Sequence, residues 1–386
     1  MNSIHPIAQI QDALNHPPIE TYQPNLPLNK QEADQTIQPY STRKKRLNHP
    51  PSQKNRRHNS TAKRLANTTQ MNYQQWLEVR KQGIGSSDAA TACGLNPYMS
   101  MLELWMIKTG RMQSNIDDES SGYAPLYWGK RLEPLIAEFY SLHTNRKVRR
   151  VNAVLQHPDP EQHFMLANLD YAVVGMGSED VQILECKSVG EHGAKLWRDG
   201  VPLYVLCQVQ HQLAVTGKQA AHICVLICGH QTKIYKVIRN DSVIHHLIQA
   251  ERHFWQCVEQ DRPPSVDASE SAARALQLLY PEHVPLQTED LTENPEANQM
   301  FKQLLQEKQQ IEAHQQHFDE LKHRLQMLMK DAERAIFLEG SVTWKRAKDS
   351  TSLNSKALLK QYPKLLQQFP QIKVGTRRFN LYPHGE

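Results

Sequence analysis

The triplet Glu185-Cys186-Lys187 closes the apolar run Val181-Gln182-Ile183-Leu184, and Asp170 stands upstream in Leu169-Asp170-Tyr171. Residues two apart on a strand project from one face, so Glu185 and Lys187 share a side. A second carboxylate from a neighbouring strand would complete a site for a hard divalent cation, which takes oxygen ligands; Mg²⁺ or Mn²⁺ fits best. Two acids, a cation and a lysine are equipment for hydrolysing phosphodiesters. The lysine would position or help deprotonate the attacking water, or stabilise the charge that builds on the phosphate.

The runs 164–174 and 181–187 read as strands, and Gly175-Met176-Gly177-Ser178-Glu179-Asp180 between them reads as a turn. If Val174 pairs with Val181, Asp170 falls directly opposite Glu185, and cross-strand partners point to the same face. Asp170, Glu185 and Lys187 then converge. The competing reading is a solvated hairpin face with a surface ion pair. Against it stand the apolar company of both acids and their mutual repulsion, which a cation between them would relieve.

Composition sets the outer limits. Of 386 residues 39% are hydrophobic and mean hydropathy is −0.64, enough for one sizeable core but not for a core along the whole chain. The net charge of +5 permits a nucleic-acid partner without demanding one. No apolar run approaches a membrane span, and Met1-Asn2-Ser3-Ile4-His5-Pro6 lacks the regions of a signal peptide; a soluble intracellular protein is expected. Cysteines at 93, 186, 207, 224, 228 and 257 form no CxxC and read as small core residues of a reducing compartment, with Cys224 and Cys228 on one buried face.

Residues 1–70 are rich in Gln, Asn, Pro, Ser and Thr without apolar period and read as a disordered basic arm, its charge carried by Arg43-Lys44-Lys45-Arg46, Lys54-Asn55-Arg56-Arg57 and Lys63-Arg64. A mere solubilising tail reads equally well. Residues 71–262 carry the catalytic pattern. Tyr73 to Lys81 is helical, Gly83-Ile84-Gly85 breaks the helix, and Ser86 or Ser87 caps a following one with Asp88 in its first turn. Helix amino termini bind phosphate. A helix over 100–108 follows, then one over 130–142 with Pro134 in its first turn and Glu133 beside its apolar face.

Strands at 148–155, 222–228 and 233–238 and helices over 203–216 and 242–259 complete a mixed sheet flanked by helices. In the 203–216 helix, Gln208, His211 and Gln212 line one polar stripe. Residues 263–291 read as a linker. Residues 292–386 form a helical extension: a helix over 294–338 with Leu304, Ile311, Phe318, Leu325 and Ala332 at heptad spacing, then short strands at 341–345 and 376–379.

These blocks resemble a known family. Asp170 with Glu185-Cys186-Lys187 looks like the PD-(D/E)XK nuclease motif. Trp128-Gly129-Lys130-Arg131-Leu132-Glu133, Tyr204-Val205-Leu206-Cys207-Gln208-Val209-Gln210 and Arg80-Lys81-Gln82-Gly83-Ile84-Gly85-Ser86-Ser87-Asp88 resemble the further blocks of the YqaJ-like viral recombinases and lambda exonuclease, in family order and spacing. Leu169 stands where the motif name has proline. The resemblance implies an α/β fold with a restriction-endonuclease-like core. It implies that Asp170 and Glu185 ligate Mg²⁺, with Mn²⁺ as its substitute, and that Glu133 binds the metal directly or through water. Lys187 would activate the nucleophilic water, Gln208 would orient Lys187 or the substrate, and Arg80 and Ser87 would hold a DNA 5′-phosphate, the arginine through bidentate bonds.

The resulting expectation is a Mg²⁺-dependent exonuclease that resects double-stranded DNA ends from the 5′ side for recombination with a single-strand annealing partner. The same resemblance implies a homo-oligomeric ring, a trimer, in the cytoplasm of a bacterial or phage-infected cell. The alternatives are a structure- or site-specific endonuclease on the same fold and a non-catalytic DNA-end-binding protein.

Overall fold

The computed structural model describes residues 10, 19–21, 62–113, 125–175, 181–373 and 375–383. The chain divides into two compact units, Met1–Leu279 and Tyr280–Glu386. The basic runs at 43–46 and 54–57 and the turn at 176–180 lie outside the described residues. Among the described residues no helix is long and apolar enough to cross a membrane.

The first unit is built on two sheets. Strands β1 (Ile19–Thr21), β4 (Val148–Arg150), β7 (Tyr171–Val173), β8 (Ile183–Val189), β9 (Ala220–Ile227) and β10 (Gln231–Ile238) form a six-stranded sheet in the order β1-β10-β9-β8-β7-β4. Among the described residues its only parallel pair is β8 with β9. Strands β2 (Lys63–Asn67), β3 (Ile84–Gly85), β5 (Ala153–Gln156) and β6 (Met165–Ala167) form the second, in the order β2-β5-β6-β3. The helices are α1 (Tyr73–Lys81), α2 (Ala89–Ala92), α3 (Met101–Lys108), α4 (Pro125–Thr144), α5 (Glu191–Ala194), α6 (Leu203–Thr216), α7 (Asp241–Glu259) and α8 (Glu270–Leu279).

Helices cover the large sheet on both faces. Ile136, Ala137 and Tyr140 of α4 pack with Leu184 and Cys224 on one side. Val205, Val209 and Leu213 of α6 pack with Ile183, Ile223 and Val225 on the other. Alternation along β8 thus sends Ile183 and Glu185 toward α6 and Leu184 toward α4. The helix α6 is also the crossover a parallel β8–β9 pair requires, and Gly217 ends it in the left-handed conformation, φ +68°. The mixed α/β core is the one expected.

Several boundaries differ from the sequence reading. The expected strands 148–155 and 164–174 each break in two, because both chains bend out of the large sheet into the small one: β4 pairs β7, while β5 pairs β6. Asp170 lies just before β7 rather than inside a long strand. Pro134 falls in the interior of α4, which begins at Pro125, so the Lys130 carbonyl lacks its usual helical donor. Cys228 is exposed, because β9 ends at Ile227 and the residue enters the turn at φ +51°.

The stretch 1–70 is not all outside the fold: β2 pairs β5, β1 pairs β10, and Ile10 is buried. The expected linker 263–291 carries α8, whose Ser271, Ala272 and Ala275 are buried. The Ser100 N–H donates to the Ser271 hydroxyl at 2.8 Å, which docks α8 on α3.

In the second unit the long helix α9 (Pro295–Met329) is followed by the hairpin β11 (Arg334–Phe337) and β12 (Gly340–Thr343), then by α10 (Ser355–Gln361) and α11 (Lys364–Gln368). The helix stops at Met329, short of the expected 338, because Lys330, at φ +49°, turns the chain although Ala332 continues the heptad spacing. Residues 376–379, expected as a strand, carry no regular secondary structure.

Gly83 shows how tightly the small sheet closes. A Cβ there would lie 2.4 Å from the Phe164 carbonyl oxygen and 2.8 Å from Leu166 Cγ, beside the Ile84 N–H that donates to the same carbonyl at 2.6 Å. Gly83→Ala is therefore expected to cost about 1–3 kcal/mol in a denaturant melt. An unchanged midpoint and slope would contradict the close approach.

Candidate active site

The β7–β8 register sets the centre. Tyr171 pairs with Leu184 and Ala172 with Ile183, which extends to Asp170 opposite Glu185 as the hairpin reading expects. Asp170 Oδ2 accepts from the Cys186 N–H at 2.8 Å. Glu185 is 3% exposed. Helix α6 supplies its partners, since residues four apart lie on one helical face. Gln208 Nε2 donates to Glu185 Oε1 at 2.6 Å and Gln212 Nε2 to Glu185 Oε2 at 2.7 Å. Lys187 Nζ lies 2.8 Å from Glu185 Oε1 and donates to Gln208 Oε1 at 2.8 Å. Gln208 thus grips both the acid and the lysine.

Glu133 enters from the other helix layer. It sits on α4, and Arg150 Nη2 of β4 lies 3.4 Å from its Oε1. Burial, and then Glu185 and Glu133, push the Asp170 carboxyl well above the ordinary carboxylate range, against the pull of Lys187 and the Cys186 N–H. Burial also raises Glu133, with Arg150 opposing and Glu185 adding. Burial draws the Lys187 ammonium down, yet Glu185 and Asp170 outweigh it and hold the group above its usual range.

Among the described residues no three His, Cys, Asp or Glu side chains are grouped so as to hold a metal ion. Glu133, Asp170 and Glu185 therefore interact electrostatically without forming a closed ligand set. Their chemistry nonetheless suits Mg²⁺, which keeps several waters and takes one or two carboxylates. Gln212 Oε1, buried without a hydrogen-bond partner, is an acceptor available to such water.

Arg80 and Ser87 meet as expected: Arg80 Nη2 donates to Ser87 Oγ at 2.8 Å. The guanidinium stacks on Trp76, 4.8 Å from the ring centroid. Two further residues were not anticipated as members of this cluster. Asp88 Oδ1 takes Arg80 Nη2 at 2.5 Å, and Asp88 Oδ2 takes Lys108 Nζ at 2.8 Å and the Gly85 N–H at 3.1 Å. Burial pushes Asp88 up, but Arg80 and Lys108 outweigh it and hold the carboxyl far below its ordinary range. The expected capped helix is a short 3₁₀ turn, Ser86–Asp88, leading into α2.

The family model for the YqaJ-like viral recombinase domain matches residues 75–219, which include both clusters. The Bacillus subtilis (strain 168) "Uncharacterized protein YqaJ" is 34% identical over 324 residues, covering 82% of this chain and 96% of that protein. The chain belongs to the YqaJ-like viral recombinase family. A solved structure titled an alkaline exonuclease (LHK-Exo) from Laribacter hongkongensis, and another of LHK-Exo in complex with dAMP, are each 19% identical with a TM-score of 0.38, covering 49% of this chain and 93% of theirs.

Within the YqaJ-like domain one helix serves both clusters. His211, between Gln208 and Gln212 on α6, places Nδ1 2.8 Å from Glu251 Oε1 of α7 and Nε2 2.9 Å from the Leu166 carbonyl. Leu166 pairs with Gly85, at the start of the Ser86–Asp88 turn. The polar stripe on α6 was legible in the sequence; its partner Glu251, forty residues away, was not.

Asp170 generates a stability prediction. A carboxyl raised by folding binds its proton more tightly in the native state, so native stability falls as pH climbs from the ordinary carboxylate value through the folded one. Asp170→Asn is expected to unfold with about 1 kcal/mol more stability than the wild type near pH 8, the usual scale for relieving a functional-site conflict. The advantage should vanish below about pH 3. Added Mg²⁺ should raise the wild-type melting temperature and leave that of the variant unmoved; equal responses would remove Asp170 from the ligand set.

Proposed function

We propose that this chain is a Mg²⁺-dependent DNA exonuclease that resects duplex ends from the 5′ side and leaves 3′ single strands for recombination by annealing. The observation that carries the reading is the convergence of Asp170, Glu185, Lys187 and Gln208 around one buried carboxylate in a recombinase family. Asp170 and Glu185 would hold the cation, with Glu133 on α4 binding it directly or through water. A Mg²⁺ bound there, or Mn²⁺ in its place, would polarise the scissile phosphate and acidify water.

The chain's own groups do the rest. Lys187 orients the attacking water and donates to the charge that develops on the phosphate. Gln208 fixes Lys187 against Glu185, so that both keep one geometry through turnover. Arg80 and Ser87 take the terminal 5′-phosphate and place the duplex end against the acids. A pocket for a terminal phosphate serves an enzyme that recognises ends, which favours exonuclease over endonuclease action.

The test is hydrolysis of 5′-phosphorylated linear duplex in Mg²⁺. Lys187→Ala should fold and bind DNA but lose turnover on the order of 10³-fold, because the lysine acts in the transition state. Covalently closed circular DNA should survive the wild-type enzyme. Equal rates for the variant, or rapid loss of the circle, would overturn the assignment.

A further inference from the structure

Lys108 is out of place for an ordinary lysine. It closes α3, its side chain is 3% exposed, and it donates to Asp88 Oδ2 at 2.8 Å and to the Arg80 carbonyl at 2.9 Å. A buried ammonium is costly unless paired, and Asp88 already has a partner in Arg80. Two cations therefore share one carboxylate, and the cluster keeps one net positive charge.

That surplus matters to an incoming anion. If Asp88 faced Arg80 alone, the pair would be neutral, and a phosphate would compete with Asp88 for the same guanidinium. Lys108 takes the other carboxylate oxygen and pins the α1 carbonyl that carries Arg80. Trp76 supports the guanidinium from its flat side.

We propose that Lys108 is a positioning residue: by sharing Asp88 it leaves the Arg80 cluster with a net positive charge for a terminal phosphate monoester, and it thereby sets the discrimination between 5′-phosphate and 5′-hydroxyl ends. This rests on the Arg80–Ser87 reading above, which it deepens by naming Asp88 and Lys108 as the residues that tune that site. Removing Lys108 neutralises the cluster; removing the charge of Asp88 makes it more positive. The two changes should act in opposite directions.

The experiment measures binding of hairpin duplexes with one blunt end, phosphorylated or not at the 5′ position, by fluorescence anisotropy in EDTA, so that no cleavage intervenes. The wild type should prefer the phosphorylated end by roughly tenfold. Lys108→Met should bring the ratio close to one, and Asp88→Asn should keep it at or above the wild-type value. Retention of the full ratio by Lys108→Met overturns the proposal. Should Lys108→Met fail to fold, judged by circular dichroism, Asp88→Asn decides alone: a ratio at or above the wild type supports the proposal, and one below it overturns it. A wild-type ratio of one is a separate failure, since it removes the phosphate pocket on which the proposal rests.

Discussion

A carboxylate taken out of water must be given hydrogen bonds or opposite charge, and Glu185 is supplied with both. Its two oxygens receive Gln208, Gln212 and Lys187. The first two stand on α6, the helix between the parallel strands β8 and β9. Satisfying Glu185 thus requires the crossover helix to lie over β8 with its polar stripe turned inward, amid a face otherwise apolar. The arrangement costs stability: burial, Glu185 and Glu133 force Asp170 toward protonation, and burial and Glu185 do the same to Glu133. Such conflict is tolerated where a site is kept for a ligand rather than for packing.

The same helix binds the two clusters into one device. His211 joins α6 to the Leu166 carbonyl and to Glu251 of α7, and Leu166 lies beside Gly85 in the small sheet. A rotation of α6 that moved Gln208 would therefore also strain the strand from which Ser87 and Asp88 follow. Gly83 allows the two strands to come that close, since any side chain there meets the Phe164 carbonyl.

The centre of the site was legible because a period of two and a short turn determine a hairpin's register: pairing Val174 with Val181 implies the observed pairing of Tyr171 with Leu184. What was not legible depends on partners distant in the chain. The breaks at Val151-Asn152 and at Asn168-Leu169-Asp170 arise because each strand pairs in two different sheets, and local propensity carries no record of that. Lys108 reads only as the last residue of a helix; the fold alone brings Asp88, twenty residues earlier, into its reach. The helix α8 is short and was masked by its proline- and acid-containing surroundings. The long helix was overextended for the opposite reason, since its apolar spacing survives the turn at Lys330.

On the proposed reading the two clusters treat DNA differently, and their charges say how. Once Asp170 and Glu185 are both ionised they outweigh Lys187 and leave the acid site net negative, so a phosphate is repelled there unless a cation intervenes. The Arg80 cluster is net positive and needs no metal to attract an anion. The end phosphate can therefore seat first and in the absence of a cation, while the scissile phosphate approaches the acids only once they are neutralised. Because α6 holds both clusters in fixed relation, seating the end also places the backbone at the acids. Recognition and hydrolysis are separated by charge and joined by a single rigid helix.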